Sequence, residues 1–360
     1  MYDFVVVGAG PAGSRFARQA AERGHDVVVF EQGEIGKPLA CSGHVSLDIW
    51  DYVPEGAREA LFQNAIHGAR FHLDGPGSRS YPFYREAPIS NAIDRVGLDK
   101  HLAGAARDAG ADVREGHTVT AVEERRDRVA VTVSGPDGTE TVTARLVAGC
   151  DGPRSRVRSE LGLADPDELL HGVLGFDPDP DHQDFVDVHL TVPRFFAWRI
   201  PRGDGGVEYG LATDPGADVP ERFDSFTAEY DADIDRRCSG AIPIGPAETV
   251  TSERGFLLGD AAGQTKPFTG GGILYGMTAA DRAAETIDPT DPSTLAEYER
   301  AWRADLGREI RLGHLIRAGY SLPRPIQRLG MRVFSGEIGV HMDRPTSFFS
   351  AEHLRRWLTP

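Results

Sequence analysis

Two glycine-bearing stretches near opposite ends of the chain constrain its fold more than any other feature: Gly8-Ala-Gly-Pro-Ala-Gly13, and Gly259-Asp-Ala-Ala-Gly-Gln-Thr-Lys-Pro-Phe-Thr-Gly-Gly-Gly272. The first lies between Tyr2 to Val7, which reads as a strand, and a helix from Ser14 to Arg23 closed by Gly24. In that setting Gly8 makes the tight turn, Gly10 and Ala12 leave backbone open to a phosphate, and Gly13 lets the helix pack close. A second strand, Asp26 to Phe30, delivers Glu31 eighteen residues after Gly13. An acid there takes the two hydroxyls of a ribose and disfavours a 2′-phosphate. This is the pattern of a dinucleotide site, and alone it does not separate FAD from NAD.

A flavin also needs its ribityl chain and ring held, and the second stretch can do that. Gly270-Gly-Gly-Ile273 opens a helix whose first turn leaves N–H groups without intrahelical partners. Such donors at Gly271, Gly272 and Ile273 favour the negative charge that reduced flavin carries around N1 and O2, and so support hydride donation from N5. The alternative is a helix start that only permits close packing.

At 360 residues the chain has room for a large core and two or so domains. Met-Tyr-Asp leads directly into a strand and no apolar run is long enough to cross a bilayer, so the expectation is a soluble cytoplasmic protein without a signal peptide. Three scattered cysteines, Cys41, Cys150 and Cys238, argue against a disulfide framework and fall short of an iron–sulfur cluster, leaving flavin as the redox centre and no metal site. Net charge is −16, and only three of the 39 bases are lysine: Lys37, Lys100 and Lys266. High acidity with lysine nearly absent fits a salt-accumulating cell, where repulsion is screened within roughly 3 Å at 1 M. The alternative is an ordinary acidic enzyme from a high-GC genome. So acidic a chain is a poor partner for nucleic acid.

After Glu31 comes a loop, Gly33 to Ser46, too long for a mere connection. Residues 66 to 85 alternate as a hairpin about Gly75-Pro-Gly77, and a helix from Leu98 to Ala109 precedes strands near 112–122, 128–133 and 140–149. The last of these runs into Cys150-Asp151-Gly152, so that Asp151 stands at a strand end facing a ligand crevice. Residues 171 to 212 revert to alternating strands, then Gly255 to Leu258 reaches Gly259-Asp260. From Leu295 the pattern is helical, broken at Pro323 and Pro325. The fold class is α/β, α+β overall. A Rossmann-like FAD-binding domain (1–65, 90–165 and 250–290) is interrupted by an antiparallel β-sheet substrate domain (66–89 and 166–249), and a C-terminal helical region (291–360) follows Asp288–Ser293.

These segments, in this order, resemble the geranylgeranyl reductase family of flavoproteins, within the larger group built like para-hydroxybenzoate hydroxylase, over residues 1 to about 290. The resemblance implies that the first motif and Glu31 bind the adenosine half of FAD, that Arg95 and a main-chain contact near Val119 complete it, and that Asp260 binds the ribityl side. Pro38-Leu-Ala-Cys41-Ser-Gly-His-Val-Ser46 is similar to the family's loop beside the flavin ring, with Ser42 and His44 standing where glycine is usual. Reducing an unpolarised alkene needs hydride on one carbon and a proton on the other. That makes Cys41 the gate or proton-path residue and His44 the second candidate, against a thiol buried for packing.

Phe196-Ala-Trp198-Arg-Ile200-Pro201, followed by Gly210, is similar to the family's signature in the substrate sheet, with Phe196 in place of tyrosine and Ile200 in place of phenylalanine. Phe196, Trp198 and Pro267 then suit a long isoprenoid chain, or equally a plain core. The implied activity is FAD-dependent saturation of C=C bonds in geranylgeranyl chains of archaeal glycerolipids or their precursors. The rivals are a monooxygenase, a halogenase or an electron-relay flavoprotein. A halogenase relies on a lysine in the region after the second strand of its FAD domain, and none lies between Lys37 and Lys100. No second dinucleotide motif exists, so NAD(P)H would bind transiently, and a ferredoxin-like donor is equally compatible. Eight arginines between residues 300 and 334, against Asp305 and Glu309, with Leu306, Ile310, Leu315 and Ile316 among them, point to peripheral contact with an anionic membrane, or to a basic helix pairing with the acidic body.

Overall fold

Runs of branched apolar residues without polar alternation, such as Val5-Val-Val7 and Val27-Val-Val-Phe30, bury both faces, as strands of a helix-covered parallel sheet do. The computed structural model describes residues 1–37, 41–337 and 343–349, and that sheet is its centre. The chain opens as β1 (Tyr2–Val7), α1 (Pro11–Glu22), β2 (Val27–Phe30), β3 (His44–Ser46), α2 (Ala57–Leu61) and β4 (Phe62–Ile66). The hairpin β5 (Gly68–His72) and β6 (Ser80–Tyr84) follows, then β7 (Ser90–Ile93), α3 (Arg95–Asp108), β8 (Asp112–Arg114), β9 (Thr118–Glu124), β10 (Val129–Gly135), β11 (Gly138–Gly149) and α4 (Arg156–Glu160). Next come β12 (Leu169–Asp177), β13 (Phe185–His189), β14 (Ala197–Pro201), β15 (Val207–Thr213), α5 (Val219–Ala228), β16 (Arg236–Pro243) and β17 (Gly255–Leu257). Three helices close the described chain: α6 (Ile273–Thr286), α7 (Leu295–Ala318) and α8 (Arg324–Phe334).

Among the described residues the strands form three sheets. In the first, the parallel strands β8, β2, β1, β11 and β17 bring their carboxyl ends to one edge, and β10 and β9 extend it antiparallel from β11. Ligands bind outside such strand ends. The second sheet runs β16-β12-β15-β14-β13-β5-β6, and a small third one runs β3-β7-β4.

The second sheet departs from the antiparallel expectation at one place, where β13 pairs with β5 in parallel, Phe185 opposite Gly68 and His189 opposite His72. The β5–β6 hairpin arrives from an earlier excursion of the chain, so no tight turn forces it antiparallel to β13. The loop expected over Gly33–Ser46 ends as a strand, β3, with His44 opposite Ala92. Its Pro38 lies outside the described residues. Pro325 does not break the terminal helices but sits in the first turn of α8, where a missing N–H costs nothing.

Nor is the C-terminal stretch a detached tail. Tyr298 and Trp302 of α7 are fully buried in the core of the parallel sheet, joined by Leu306 and Ile310. Those last two are therefore unavailable to a membrane. No helix among the described residues is long and apolar enough to cross one.

Candidate functional site

The chain leaves β1 at Gly8, whose φ of +98° favours glycine, and a Cβ there would lie 2.4 Å from the Cys150 carbonyl oxygen. Gly13 seats α1 on this turn. Glu31, leaving β2, accepts from the Ala9 N–H at 2.9 Å and the Gly33 N–H at 3.1 Å, which ties the acid to the first motif. The His117 N–H donates to the Glu31 carbonyl at 2.8 Å, so β9 starts at this corner, although the Val119 side chain itself is buried in the core. Asp151 has a different role from the one expected. Its carboxylate accepts from the Ser155 hydroxyl at 2.5 Å and from the Arg156 and Val157 N–H groups, so it organises the start of α4, and its neighbours Cys150 and Gly152 line the cleft instead.

The second stretch is buttressed from α7. Gly259 N–H donates to the Gln264 side chain at 2.8 Å, Gln264 donates to the Tyr298 hydroxyl at 3.0 Å, and Tyr298 donates to the Leu257 carbonyl at 2.8 Å. Burial pushes the carboxyl of Asp260 up to about 6, against the pull of the Arg95 guanidinium.

Helix starts decide what this cleft can hold. Asp94, Ser155 and Asp218 cap α3, α4 and α5 with side-chain oxygens; α1, α2, α6, α7 and α8 begin with no side-chain cap, and of these α1 and α6 start at Gly10 and Gly272. These last two turns open on one cleft, through Gly10 and Ala12 and through Gly271, Gly272 and Ile273. An extended ligand with an anionic or electron-rich group at each end fits two such donors, and FAD has a pyrophosphate and a ring edge of that kind.

The remaining wall carries chemistry. Cys41, Ser42, His44 and Arg95 line the cleft. Arg95 is ion-paired with Asp99 and also reaches the Cys41 side chain; burial opposes its charge, but these partners hold its pKa above the usual value. Burial, with the nearby Lys266 charge, lowers His44 to about 4. Its imidazole is therefore neutral near pH 7 and shares a 2.8 Å hydrogen bond with Ser90. Opposite stand Leu174, Trp198 and Ile242 of the second sheet. Phe196 and Pro267, expected beside them, lie behind the surface: Phe196 stacks on Phe195 at 4.3 Å and meets Trp198 edge-on, while Pro267 packs beneath Gly313 of α7.

Comparison with known proteins agrees with this cradle. Two family models, each described as an FAD binding domain, match residues 55–204 and 3–88. A digeranylgeranylglycerophospholipid reductase of Methanothermobacter thermautotrophicus is 31% identical, covering 86% of this chain and 85% of its own. The chain belongs to the digeranylgeranylglycerophospholipid reductase family. The fold of this reductase-family chain matches a geranylgeranyl bacteriochlorophyll reductase-like protein of Thermoplasma acidophilum with TM-score 0.86 at 23% identity, covering 99% and 95% of the two chains. It also matches p-nitrophenol 4-monooxygenase of Pseudomonas putida with TM-score 0.74 at 19% identity, over 99% and 96%, so the fold spans both chemistries.

Several residues of this family member's site are not apparent from its sequence motifs. The Trp198 indole N–H donates to Glu208 at 3.0 Å; Glu208, fully buried, is paired with Arg202 at 2.7 Å; and Arg202 donates to the Ser42 and Ile93 carbonyls, each at 2.6 Å. One buried carboxylate thus joins the indole wall to the Cys41–Ser42 loop. Nothing in the Glu208–Tyr209–Gly210 pattern announces this, because β15 is buried along its whole length and Glu208 reads only as a polar break.

Burial raises the pKa of Glu208 to about 7, against Arg202, the indole N–H and Arg236. A carboxyl raised on folding contributes stability that is fully present below its ordinary value and is lost as pH rises through the folded one. The unfolding free energy of wild type relative to Glu208→Gln should therefore fall between pH 4.5 and about 7, by roughly 1.4 kcal/mol per unit crossed. Parallel urea titrations of the two proteins check this, and a difference that does not change with pH would refute it.

Proposed function

We propose that this protein is an FAD-dependent reductase that saturates C=C bonds of geranylgeranyl chains on archaeal isoprenoid glycerolipids or their precursors. The observation that carries it is a single cleft lined both by two uncapped helix starts and by an apolar sheet face, Leu174, Trp198 and Ile242. The names of the curated relatives support the same substrate class. Bound there, FAD supplies the hydride. The first motif and Glu31 hold its adenosine half, Asp260 its ribityl side, and Gly271 to Ile273 its ring edge. A polyprenyl chain offers area and almost nothing to hydrogen-bond, so shape against Trp198 positions the double bond.

The Cys41 thiol gives up the proton that completes each addition, one hydride and one proton per bond saturated. The Arg95 side chain reaches the same sulfur. Solvent then restores the proton. The test is anaerobic: photoreduce the bound flavin, add a geranylgeranyl glycerophospholipid in micelles, and follow the oxidised absorbance. It should return, and at least tenfold more slowly in Cys41→Ser. Reoxidation by oxygen alone would favour a monooxygenase. NAD(P)H and reduced ferredoxin are the two electron donors to compare.

Membrane contact centres on α8, with Leu315 of α7 also exposed. Ile326, Leu329 and Val333 form one exposed stripe, 51%, 64% and 62% accessible, with Leu322 just ahead of the helix, while Gln327 and Met331 face inward. Arg328, paired with Asp74 at 3.0 Å, and Arg332 lie along one side of the stripe. In the molar salt that suits so acidic a surface, charge attraction to lipid is screened and apolar insertion dominates. Wild type should sediment with phosphatidylglycerol vesicles, and the Ile326→Ser, Leu329→Ser, Val333→Ser variant should bind at least tenfold less. Equal sedimentation of the two proteins would withdraw the contact.

A further inference from the structure

In a chain that uses arginine almost everywhere, the placement of the three lysines is informative. Lys37 and Lys100 are exposed, and both rest on Glu34. Lys266 is 5% accessible and lines the cleft. Its stem is held in a closed turn, with its N–H donating to the Gly271 carbonyl at 3.0 Å and its carbonyl accepting from Gly270 at 2.8 Å. A Cβ on Gly271 would lie 3.1 Å from the Lys266 Nζ, so the ammonium stands at the uncapped start of α6. A compact, strongly hydrated ammonium is a costly group to bury, and a buried ion pair contributes little to stability over apolar packing.

The partner comes from far along the chain. Nζ meets Asp343 at 2.5 Å, and Asp343 is itself 6% accessible. The Tyr275 hydroxyl donates to the Asp343 carbonyl at 2.9 Å, and the Thr346 N–H donates to Glu309 of α7 at 2.9 Å, which fastens this segment across the cleft. Burial is the main cause that holds the His44 imidazole neutral; the Lys266 charge adds to it and the Asp343 charge opposes it.

We propose that Lys266 stabilises the negative charge of the reduced flavin, and that Asp343 sets how much of that positive charge the cofactor feels. This rests on the reading that the first turn of α6 receives the flavin ring. A charge near the N1 side tunes a flavin's potential. An ammonium there favours the reduced anion, and a carboxylate behind it opposes that effect. The two residues therefore predict shifts of opposite sign, which loosened packing does not produce.

The experiment is a spectroelectrochemical titration of the FAD-loaded protein with dithionite and indicator dyes, at fixed pH and salt. At a given potential, Lys266→Met should lower the reduced-to-oxidised ratio at least tenfold, about 30 mV for a two-electron couple. Asp343→Asn should raise that ratio, Lys266→Arg should stay within threefold of wild type, and the Lys266→Met, Asp343→Asn double variant should fall between the single ones. FAD-loaded single variants that titrate like wild type, or that shift in the same direction, overturn the inference. Should Lys266→Met not fold, the sign of the Asp343→Asn shift decides. Wild type that takes up no FAD would instead sink the flavin reading itself.

Discussion

Gly13→Ala should purify colourless, with FAD affinity weakened roughly a hundredfold, about 2.7 kcal/mol. The added methyl would sit 2.1 Å from the Gly8 carbonyl oxygen and 3.0 Å from the Cys150 Cβ. The first obstacle is backbone, so relief must come from lifting α1 off the turn. That movement carries away the uncapped N–H groups at Gly10 and Ala12, while the apolar face of α1, with Phe16, Ala17 and Ala20 fully buried, remains able to find its core. The loss should therefore fall on the cofactor more than on the fold. Absorbance near 450 nm after reconstitution, alongside the urea midpoint, separates the two, and a yellow Gly13→Ala protein would contradict this account of the motif.

Gly210→Ala should retain FAD yet lose lipid turnover by at least a hundredfold in kcat/KM. Trp198 lies opposite Gly210 in the sheet, and its ring covers the glycine so closely that a Cβ would be 2.0 Å from Cε2 and 2.2 Å from Cζ2. An indole is rigid, so it must swing into the cleft and break its hydrogen bond to Glu208. Shrinking the ring should restore room: Trp198→Leu combined with Gly210→Ala should turn over faster than Gly210→Ala alone. A single variant with unimpaired turnover would show that Trp198 is packing and no part of the substrate wall.

The strands and helices that carry the cofactor cradle were legible because each follows from local chemistry. Val-rich runs, a glycine turn and an acid at the next strand end specify a strand-turn-helix without help from the rest of the chain. Placements that depend on distant partners were not legible. Asp151 looked like a ligand-facing acid because the strand end is visible in the sequence, whereas the three donors from Ser155, Arg156 and Val157 that occupy it depend on how α4 begins. Phe196 alternates correctly with Trp198, yet Phe195 and Tyr320 enclose it, and Tyr320 arrives from the end of α7. The Lys266–Asp343 pair spans 77 positions, and no periodicity links them.

The same long-range closure governs when the protein becomes competent. β17 joins the parallel sheet only beside β11, and the turn that follows it leans on Tyr298 of α7. A nascent chain can therefore assemble its amino-terminal strands early, but the turn at Gly259 lacks its buttress until about 300 residues have emerged from the ribosome. A cleft whose two glycine turns come from opposite ends of the chain is thus completed only once most of the sequence is available to fold.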